Sequence, residues 1–403
     1  MNRKQLQLII ILFVVIGGAG LLVMNRNKES WHATDQQMGQ KVIKDFRLNE
    51  VAHIVIKQPN AELNLTKKTD QWTVRERGDY PANFTEISDF LKKIWELKVT
   101  RPVKTSAAQL SRLELLPPGK GTNAGTLVEF KDKDDKSLSA LLLGKKSMKD
   151  SPDNSPFGGG GFPEGRFIMV ANNPQSVALV RDALANVEAK AEPWLNKDFF
   201  KVEKIRSISL VSTNATNSWT LSREGETNEW KLADLKAGEQ LDSAKVSSVP
   251  SPLYSPGFND VAPVGAKPEE TGMDKPMVIT ARTFNNFTYI LKVGKKSGDE
   301  NYHLAMSVTA DLLKQRAPGK DEKPEEKEKL DKEFKEQQTK LEEKLKQEKN
   351  FEKWTYLVSS WTVEPLLKER SQLLVEKKDE SKKEDPNKDG KPDKTDEPKP
   401  VQK

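Results

Sequence analysis

The sequence predicts an α+β fold built from two tandem homologous units, each an antiparallel sheet with a packed helix. Three observations point there. First, Lys44-Asp45-Phe46 recurs as Lys197-Asp198-Phe199, 153 residues on, and Gly144-Lys145-Lys146-Ser147 recurs as Gly294-Lys295-Lys296-Ser297, 150 residues on. Second, landmarks inside the two copies correspond: His53-Ile54-Val55-Ile56 answers Ser207-Ile208-Ser209-Leu210, and Trp72-Thr73-Val74 answers Trp230-Lys231-Leu232. Third, the short segments around these landmarks alternate apolar and polar residues, as half-buried antiparallel strands do. The repeat is of domain size, far longer than a solenoid period. An N-terminal transmembrane helix, a charged helical insertion in the second unit (311–352) and a disordered C-terminal tail complete the expected fold class. The chain divides as 1–28, 29–195, 196–375 and 376–403.

Taken in order, Leu6–Met24 is a run of nineteen residues whose one polar side chain is Gln7. As a helix it spans about 28 Å, close to a hydrocarbon core of about 30 Å. Arg3 and Lys4 precede it, and Arg26 and Lys28 follow. Charge alone therefore does not orient it. The short N-terminus favours a signal anchor with the rest of the chain outside the cytoplasm; the competing reading is a signal peptide cleaved near Gly17–Gly20. A lipoprotein is excluded, because the chain has no cysteine to acylate.

In the first unit, strands are expected at 52–57, 62–66 and 71–75. Asn83 then caps a helix, with Glu86 three residues on as in a capping box. Phe84, Ile87, Leu91, Ile94 and Trp95 fall at helical spacing and give it one apolar face. Arg101-Pro102 ends this helix. A short helical piece at 106–113, strands at 126–131 and 137–143 closed by Gly144, a Gly- and Pro-rich loop at 151–165, a strand at 166–171 and a helix at 174–189 follow. In the second unit, strands are expected at 205–211, 218–222 and 229–233, a short helix at 242–249 stopped by Pro250, an irregular Pro-rich stretch, a hairpin at 277–293 and a strand at 302–306. The insertion carries a narrow stripe, Leu330, Phe334, Leu341 and Leu345, amid mixed charges, and reads as a long exposed helix or helical hairpin. A strand at 354–358 and a helix at 361–370 close the unit. The tail holds nine acidic and nine basic residues and almost no apolar side chain, too little to offset the entropy of ordering.

Composition limits function. Sixty-six basic and sixty acidic residues leave a net charge of +6, a mixed-sign surface with no excess for nucleic acid. Without cysteine there is no disulfide, thiolate zinc site or cysteine nucleophile. The three histidines, His32, His53 and His303, are isolated; no His-x-x-x-His supplies a zinc-hydrolase ligand set. No Gly-x-Ser-x-Gly elbow is present, although a Ser-His-Asp triad can be assembled from distant positions. The Gly-Lys-Lys-Ser quartets lack the first glycine of a phosphate loop, with Ser139 and Tyr289 where it would stand, and read as polar turns after hairpins. Gly119-Lys120-Gly121-Thr122 fails in the same way, with Glu114 in that place. Gly158–Gly161 could cradle an anion but has the composition of a flexible linker. Trp72, Trp95, Trp219 and Trp230 read as core residues more readily than as a stacking platform, since Trp72 and Trp230 occupy equivalent repeat positions. The insertion stripe is either a partner-binding helix face or part of a solvated helix. No catalytic, cofactor-binding or metal residue is expected.

Several of these features together resemble a known family. They are the N-terminal span, Trp72-Thr73-Val74, Tyr80-Pro81-Ala82-Asn83 opening a helix that ends at Leu97-Lys98, the hairpin into Leu143-Gly144-Lys145, Phe167-Ile168-Met169-Val170, and the Lys197-Asp198-Phe199 link. In order and spacing they resemble a bacterial family of single-span envelope proteins with a repeated domain of unknown function. Its members are commonly encoded beside ABC-type transporter permeases of the gliding-motility type. The resemblance covers residues 40 to 310 and resumes near 354; the insertion, the tail and the short helix at 242–249 depart from it. It implies a membrane-anchored accessory or scaffold protein, not an enzyme, in the inner membrane with its bulk outside the cytoplasm. Implied partners are the membrane, through a single span, and ABC-type permease or ATPase subunits. The 311–352 helix is a further candidate contact for a protein partner. The alternative is an envelope hydrolase or a glycan- or ligand-binding protein.

Overall fold

A computed structural model describes residues 31–32, 37–149, 162–171, 173–212, 214–298, 300–317 and 322–376. A short ribbon pairs β1 (Trp31–His32) with β7 (Thr105–Ser106). The strands of the first large sheet are β2 (His53–Gln58), β3 (Ala61–Lys68), β4 (Gln71–Val74), β5 (Tyr80–Pro81), β6 (Val99–Pro102), β8 (Thr126–Lys131), β9 (Ser137–Lys149), β10 (Phe162–Val170) and β11 (Ala178–Val180). Those of the second are β12 (Ile205–Val211), β13 (Trp219–Ser222), β14 (Lys231–Leu232), β15 (Asp260–Val261), β16 (Met277–Thr283), β17 (Phe287–Ser297), β18 (Asn301–Ala310) and β19 (Tyr356–Ser359). Among the described residues the first sheet runs β5-β4-β3-β2-β8-β9-β10-β11-β6 and the second β14-β13-β12-β16-β17-β18-β19-β15. With β5 set aside the two orders are the same, and neighbouring strands are antiparallel throughout.

Among the described residues the helices are few. Helix α1 (Phe84–Glu96) follows Asn83, whose side chain accepts from the Thr85 and Glu86 amides. This satisfies two of the donors that a helix start leaves open. Ile87, Phe90, Leu91 and Ile94 face the first sheet, whereas Phe84 and Trp95, placed on the apolar face by sequence spacing, are exposed. Trp95 lies outside the core beneath the Lys41 ammonium, 3.3 Å from its ring centroid. Helices α2 (Ala107–Arg112), α3 (Ser243–Ser247), α4 (Pro268–Thr271) and α6 (Ser360–Val363) are short. Helix α5 (Pro324–Lys349) is the long insertion helix, with Pro324 in its first turn, Glu325 and Glu326 beside it, and Lys346 and Lys349 at the far end. Each choice complements the helix ends or dipole.

Four expectations are corrected. No helix among the described residues is long and apolar enough to cross a membrane, so the transmembrane helix of the expected fold class is not found; Leu6–Met24, Gly158–Gly161 and the tail beyond Glu376 lie outside the described residues. The helix expected at 174–189 is a 3-10 turn (Pro174–Ser176), strand β11 and irregular chain. Val177, Val180, Leu184 and Val187 are all buried and imitate a helical stripe, but Ala178 is buried too, because β11 lies between β10 and β6. The helix expected at 361–370 breaks after one turn, with a 3-10 turn through Pro365. Finally, β9 and β17 do not stop at their glycines. Both run on through the Gly-Lys-Lys-Ser quartets.

One core cluster passes from Val42 through the first sheet and into the second as far as Leu373. A smaller cluster of Leu110, Leu115, Leu142, Met169 and Val177 covers the opposite face of the first sheet. Leu141-Leu142-Leu143 is therefore buried on both faces, which explains an apolar run where alternation would otherwise be expected.

Candidate functional site

The polar residues that converge most closely in the first sheet surround His53. It is a buried β2 residue, paired with Lys131 of β8 and Thr66 of β3. Its Nδ1 lies 2.7 Å from Asp135 Oδ1, at the β8–β9 turn, and its Nε2 lies 2.9 Å from Asn64 Oδ1. Asn64 Nδ2 donates to Glu76 Oε1 at 2.7 Å and to Glu62 Oε1 at 3.1 Å, so its oxygen is the atom left to face the imidazole. Carboxylate and amide oxygens both accept, and each ring nitrogen is taken up by one of them. The hydrogen bond from His53 holds the Asp135 carboxyl below its ordinary value. Neither ring nitrogen is left to activate a nucleophile, so the dyad is a structural clasp. His303 is likewise engaged, its Nδ1 donating to the Lys295 carbonyl at 2.9 Å.

The Gly-Lys-Lys-Ser quartets have a backbone role. Register shifts fall at Gly144-Lys145 in the β9–β10 pairing and at Gly294-Lys295 in the β17–β18 pairing, so each quartet spans a bulge. A crossing segment lies against each glycine. A Cβ on Gly144 would stand 2.3 Å from the Leu113 carbonyl oxygen, and one on Gly294 2.1 Å from that of Thr271. Gly119-Lys120-Gly121-Thr122 lies in a turn between Leu116 and Ala124, with no helix after it to receive a phosphate. The four tryptophans have separate local partners. Trp72 is in the core, Trp219 Nε1 donates to the Lys368 carbonyl at 2.7 Å, Trp230 lies under Arg223, and Trp95 meets Lys41. They form no common platform.

The strongest construction is the seam between the sheets. The turn after β4 (Arg75–Arg77) leads through Gly78, at φ +65°, into β5. Arg77 reaches across to Asp260 of β15 in a bidentate pair, Nε to Oδ1 at 2.9 Å and Nη2 to Oδ2 at 2.7 Å. The fork geometry makes this one of the stronger ion-pair types, and it raises the guanidinium's already high pKa. Trp354 Nε1 donates to the Gly78 carbonyl at 3.1 Å. Tyr80 sits edge-on to Trp354, Phe258 and Tyr356, with centroids 4.8, 5.7 and 6.1 Å away. Burial pushes up both the Tyr80 and Tyr356 hydroxyl pKa values, and the pair stays neutral. Lys197 of the repeated triplet donates to the Asn259 carbonyl at 2.6 Å, while Phe199 packs on Tyr356 and Phe258.

Helix α5 projects from the second half of this body. Its C-terminal half is pinned: buried Glu348 accepts from the Lys201 amide at 3.0 Å and from the Tyr289 hydroxyl at 2.7 Å, and Leu341 and Leu345 pack on the core. At its N-terminal half, Arg316 from the chain before the helix bridges Glu322, also before it, and Asp331 on it. Leu330 and Phe334 are half-buried and are not part of the core cluster. Sequence spacing identified the stripe but not its division. The seam pair had no sequence signal, since its members are 183 positions apart. Among the described residues no group of three or more His, Asp or Glu side chains is arranged to hold a metal ion.

No curated protein and no solved structure matches the chain. A family profile described as a domain of unknown function matches residues 72–276, from the Trp72 landmark of the first sheet to the residue before β16 of the second. That is just over half of the sequence, and on it the chain belongs to the DUF4340 family, which is defined by a domain of unknown function.

Proposed function

We propose that the protein is a non-catalytic accessory or scaffold subunit of an ABC-type transport complex, acting outside the cytoplasm. The observation that carries this reading is the build of the body: two sheets share one core and a bidentate ion pair at their seam, and α5 stands on that body by its C-terminal half. A rigid base bearing a long charged helix suits a protein that holds another in position, because little ordering is left to be done on binding. The chemistry points the same way. The buried histidine is committed at both nitrogens, and the phosphate-loop look-alikes serve as bulges or turns. The permease neighbourhood of the family it resembles supports the choice of partner.

The contact assigned to α5 is its N-terminal half around Leu330 and Phe334. The test is a mild-detergent co-purification of the full chain, with a Leu330→Glu/Phe334→Lys variant alongside. This variant leaves Glu348 and its anchors intact. Permease and ATPase subunits of one transporter are expected with the wild type and are expected to be lost with the variant. Wild-type preparations free of both subunits overturn the scaffold reading; equal recovery with the variant moves the contact off α5.

A further inference from the structure

The face of the first sheet that carries the smaller core cluster is covered by α2, the turn at 117–120 and the bulge at Gly144. Leu110 and Leu115 fix this cover to the cluster, and the Lys145 amide donates to the Leu113 carbonyl at 2.8 Å. Its outside is of one sign. Between Val99 and Gly125 the chain carries four cations, Arg101, Lys104, Arg112 and Lys120, and one carboxylate, Glu114. Lys145 from the bulge is a fifth cation. All five are exposed, and among the described residues none of them is in an ion pair. Glu114 has a cation of its own: burial pulls the Arg166 guanidinium below its ordinary value, and Glu114 acts against that. The whole chain holds sixty-six basic and sixty acidic residues, so five unpaired cations around one committed carboxylate make a local positive field that the average does not predict.

The path of the chain bears on what lies against this face. Strand β1 pairs with β7, Trp31 opposite Ser106 and His32 opposite Thr105, so the chain before Trp31 leaves the body at the start of α2. Six residues, 25–30, separate Trp31 from the apolar run Leu6–Met24, and Arg26 and Lys28 are among them. A stretch of that length reaches about 25 Å at most. The apolar run therefore begins close to the basic face, with two more cations on the way. An apolar segment beside a basic surface is the two-part composition by which proteins hold to anionic lipid, one part gaining from burial and the other from charge. This holds whether or not the run crosses a bilayer. The cations also come singly from five places: β6, the link to β7, α2, the turn and the bulge. A field of headgroups meets scattered charges one by one, whereas a partner protein needs them in matched register.

We propose that this face of the first sheet rests on an anionic lipid surface, its five cations meeting headgroup phosphates and the chain before Trp31 running toward the same surface. Each cation near such a surface adds about fivefold to the affinity. The contact lies on the first sheet, apart from α5, so it stands or falls independently of the transporter partner.

The chain has no cysteine, so an introduced one takes a fluorophore without competition. Ala108 on α2 and Glu342 on α5 are both exposed. The full-length Ala108→Cys chain carries the label at the basic face, and the full-length Glu342→Cys chain carries it as a control. Each is mixed with vesicles of phosphatidylcholine alone, or with about 40% phosphatidylglycerol to supply a negative surface potential, both holding a headgroup nitroxide quencher. An apolar segment binds the two kinds of vesicle alike, so the difference between them reads the cations. The Ala108 label is expected to be quenched about threefold more by the anionic vesicles, about 0.5 M salt is expected to remove the difference, and the Glu342 label is expected to show none. Arg101→Glu/Lys104→Glu/Arg112→Glu in the Ala108→Cys chain is expected to weaken binding to the anionic vesicles by about a hundredfold or more. The lipid and salt comparisons need no charge reversal, so they stand whatever that variant does to the fold. Equal quenching of the Ala108 label by both vesicles, or an equal preference at Glu342, overturns the proposal. If polyglutamate changes the emission of the Ala108 label and anionic vesicles do not, the face takes an acidic polypeptide and the lipid proposal falls.

Discussion

At the scale of single residues, the repeated Gly-Lys-Lys-Ser quartets show how a short motif can be a true landmark and still be misread. Its spacing marks equivalent places in the two sheets, but its chemistry suggests a polar turn or a phosphate loop. The structure gives a steric reason instead. A crossing carbonyl lies against each glycine, closer than any Cβ tolerates. The contact is made by residues far away, Leu113 for Gly144 and Thr271 for Gly294, so nothing inside the quartet reports it. Gly144→Ala and Gly294→Ala are each expected to cost about 2 kcal/mol or more, since the blocking atoms are backbone and cannot rotate aside. Gly257→Ala, where no heavy atom lies within 4 Å of the new Cβ, is expected to change stability by less than about 0.5 kcal/mol. Urea midpoints at constant slope measure all three; a neutral Gly144→Ala or Gly294→Ala would contradict the close approach.

At the scale of elements, what was legible depended on whether an element's signal is local. Helix α1 announces itself through Asn83 and Glu86 and was found there. Strands β12, β16 and β17 follow from alternation, and the helix expected at 242–249 is present in shorter form as α3, with Asp242 capping it rather than lying in it. The stretch 174–189 deceived because burial on an inner strand of a sheet and burial on a helix face can produce the same spacing over a dozen residues. The insertion helix was legible from its charges, but its anchoring was not. Glu348 looks like any of its acidic neighbours in sequence, yet it is buried and accepts two hydrogen bonds from the second unit. Removing it leaves the Tyr289 hydroxyl and the Lys201 amide without their carboxylate. Glu348→Ala is therefore expected to cost about 2 kcal/mol and to speed amide exchange at Leu341 and Leu345. Glu328→Lys, on an exposed position of the same helix, is expected to stay within about 0.5 kcal/mol. If the two substitutions behaved alike, α5 would be resting on the body rather than pinned to it.

At the scale of the whole molecule, the sequence revealed two copies of one pattern but not how the copies meet. The seam is assembled from the turn after β4, the short strand β15 and aromatic residues from both halves, none of them consecutive. Its centre is Arg77 and Asp260, with side chains only 17% and 10% exposed. Desolvation makes such a pair a modest net contributor to stability, but the loss of one partner strands the other charge in a poorly hydrated place. Arg77→Ala is thus expected to cost about 2–3 kcal/mol, at the lower edge of what breaking a buried pair costs because the guanidinium keeps some water. Arg77→Ala/Asp260→Ala is expected to cost less than the sum of the two single changes, since no charge is left stranded. Because the core runs without a break from one sheet to the other, amides of both sheets are expected to lose protection at one urea midpoint, and Arg77→Ala is expected to lower that midpoint for both together. Hydrogen exchange read separately on β2 and on β17 across a urea series decides the matter. Two midpoints in the wild type would mean that the sheets are independent domains in mere contact, and the rigid base on which the scaffold reading stands would be gone.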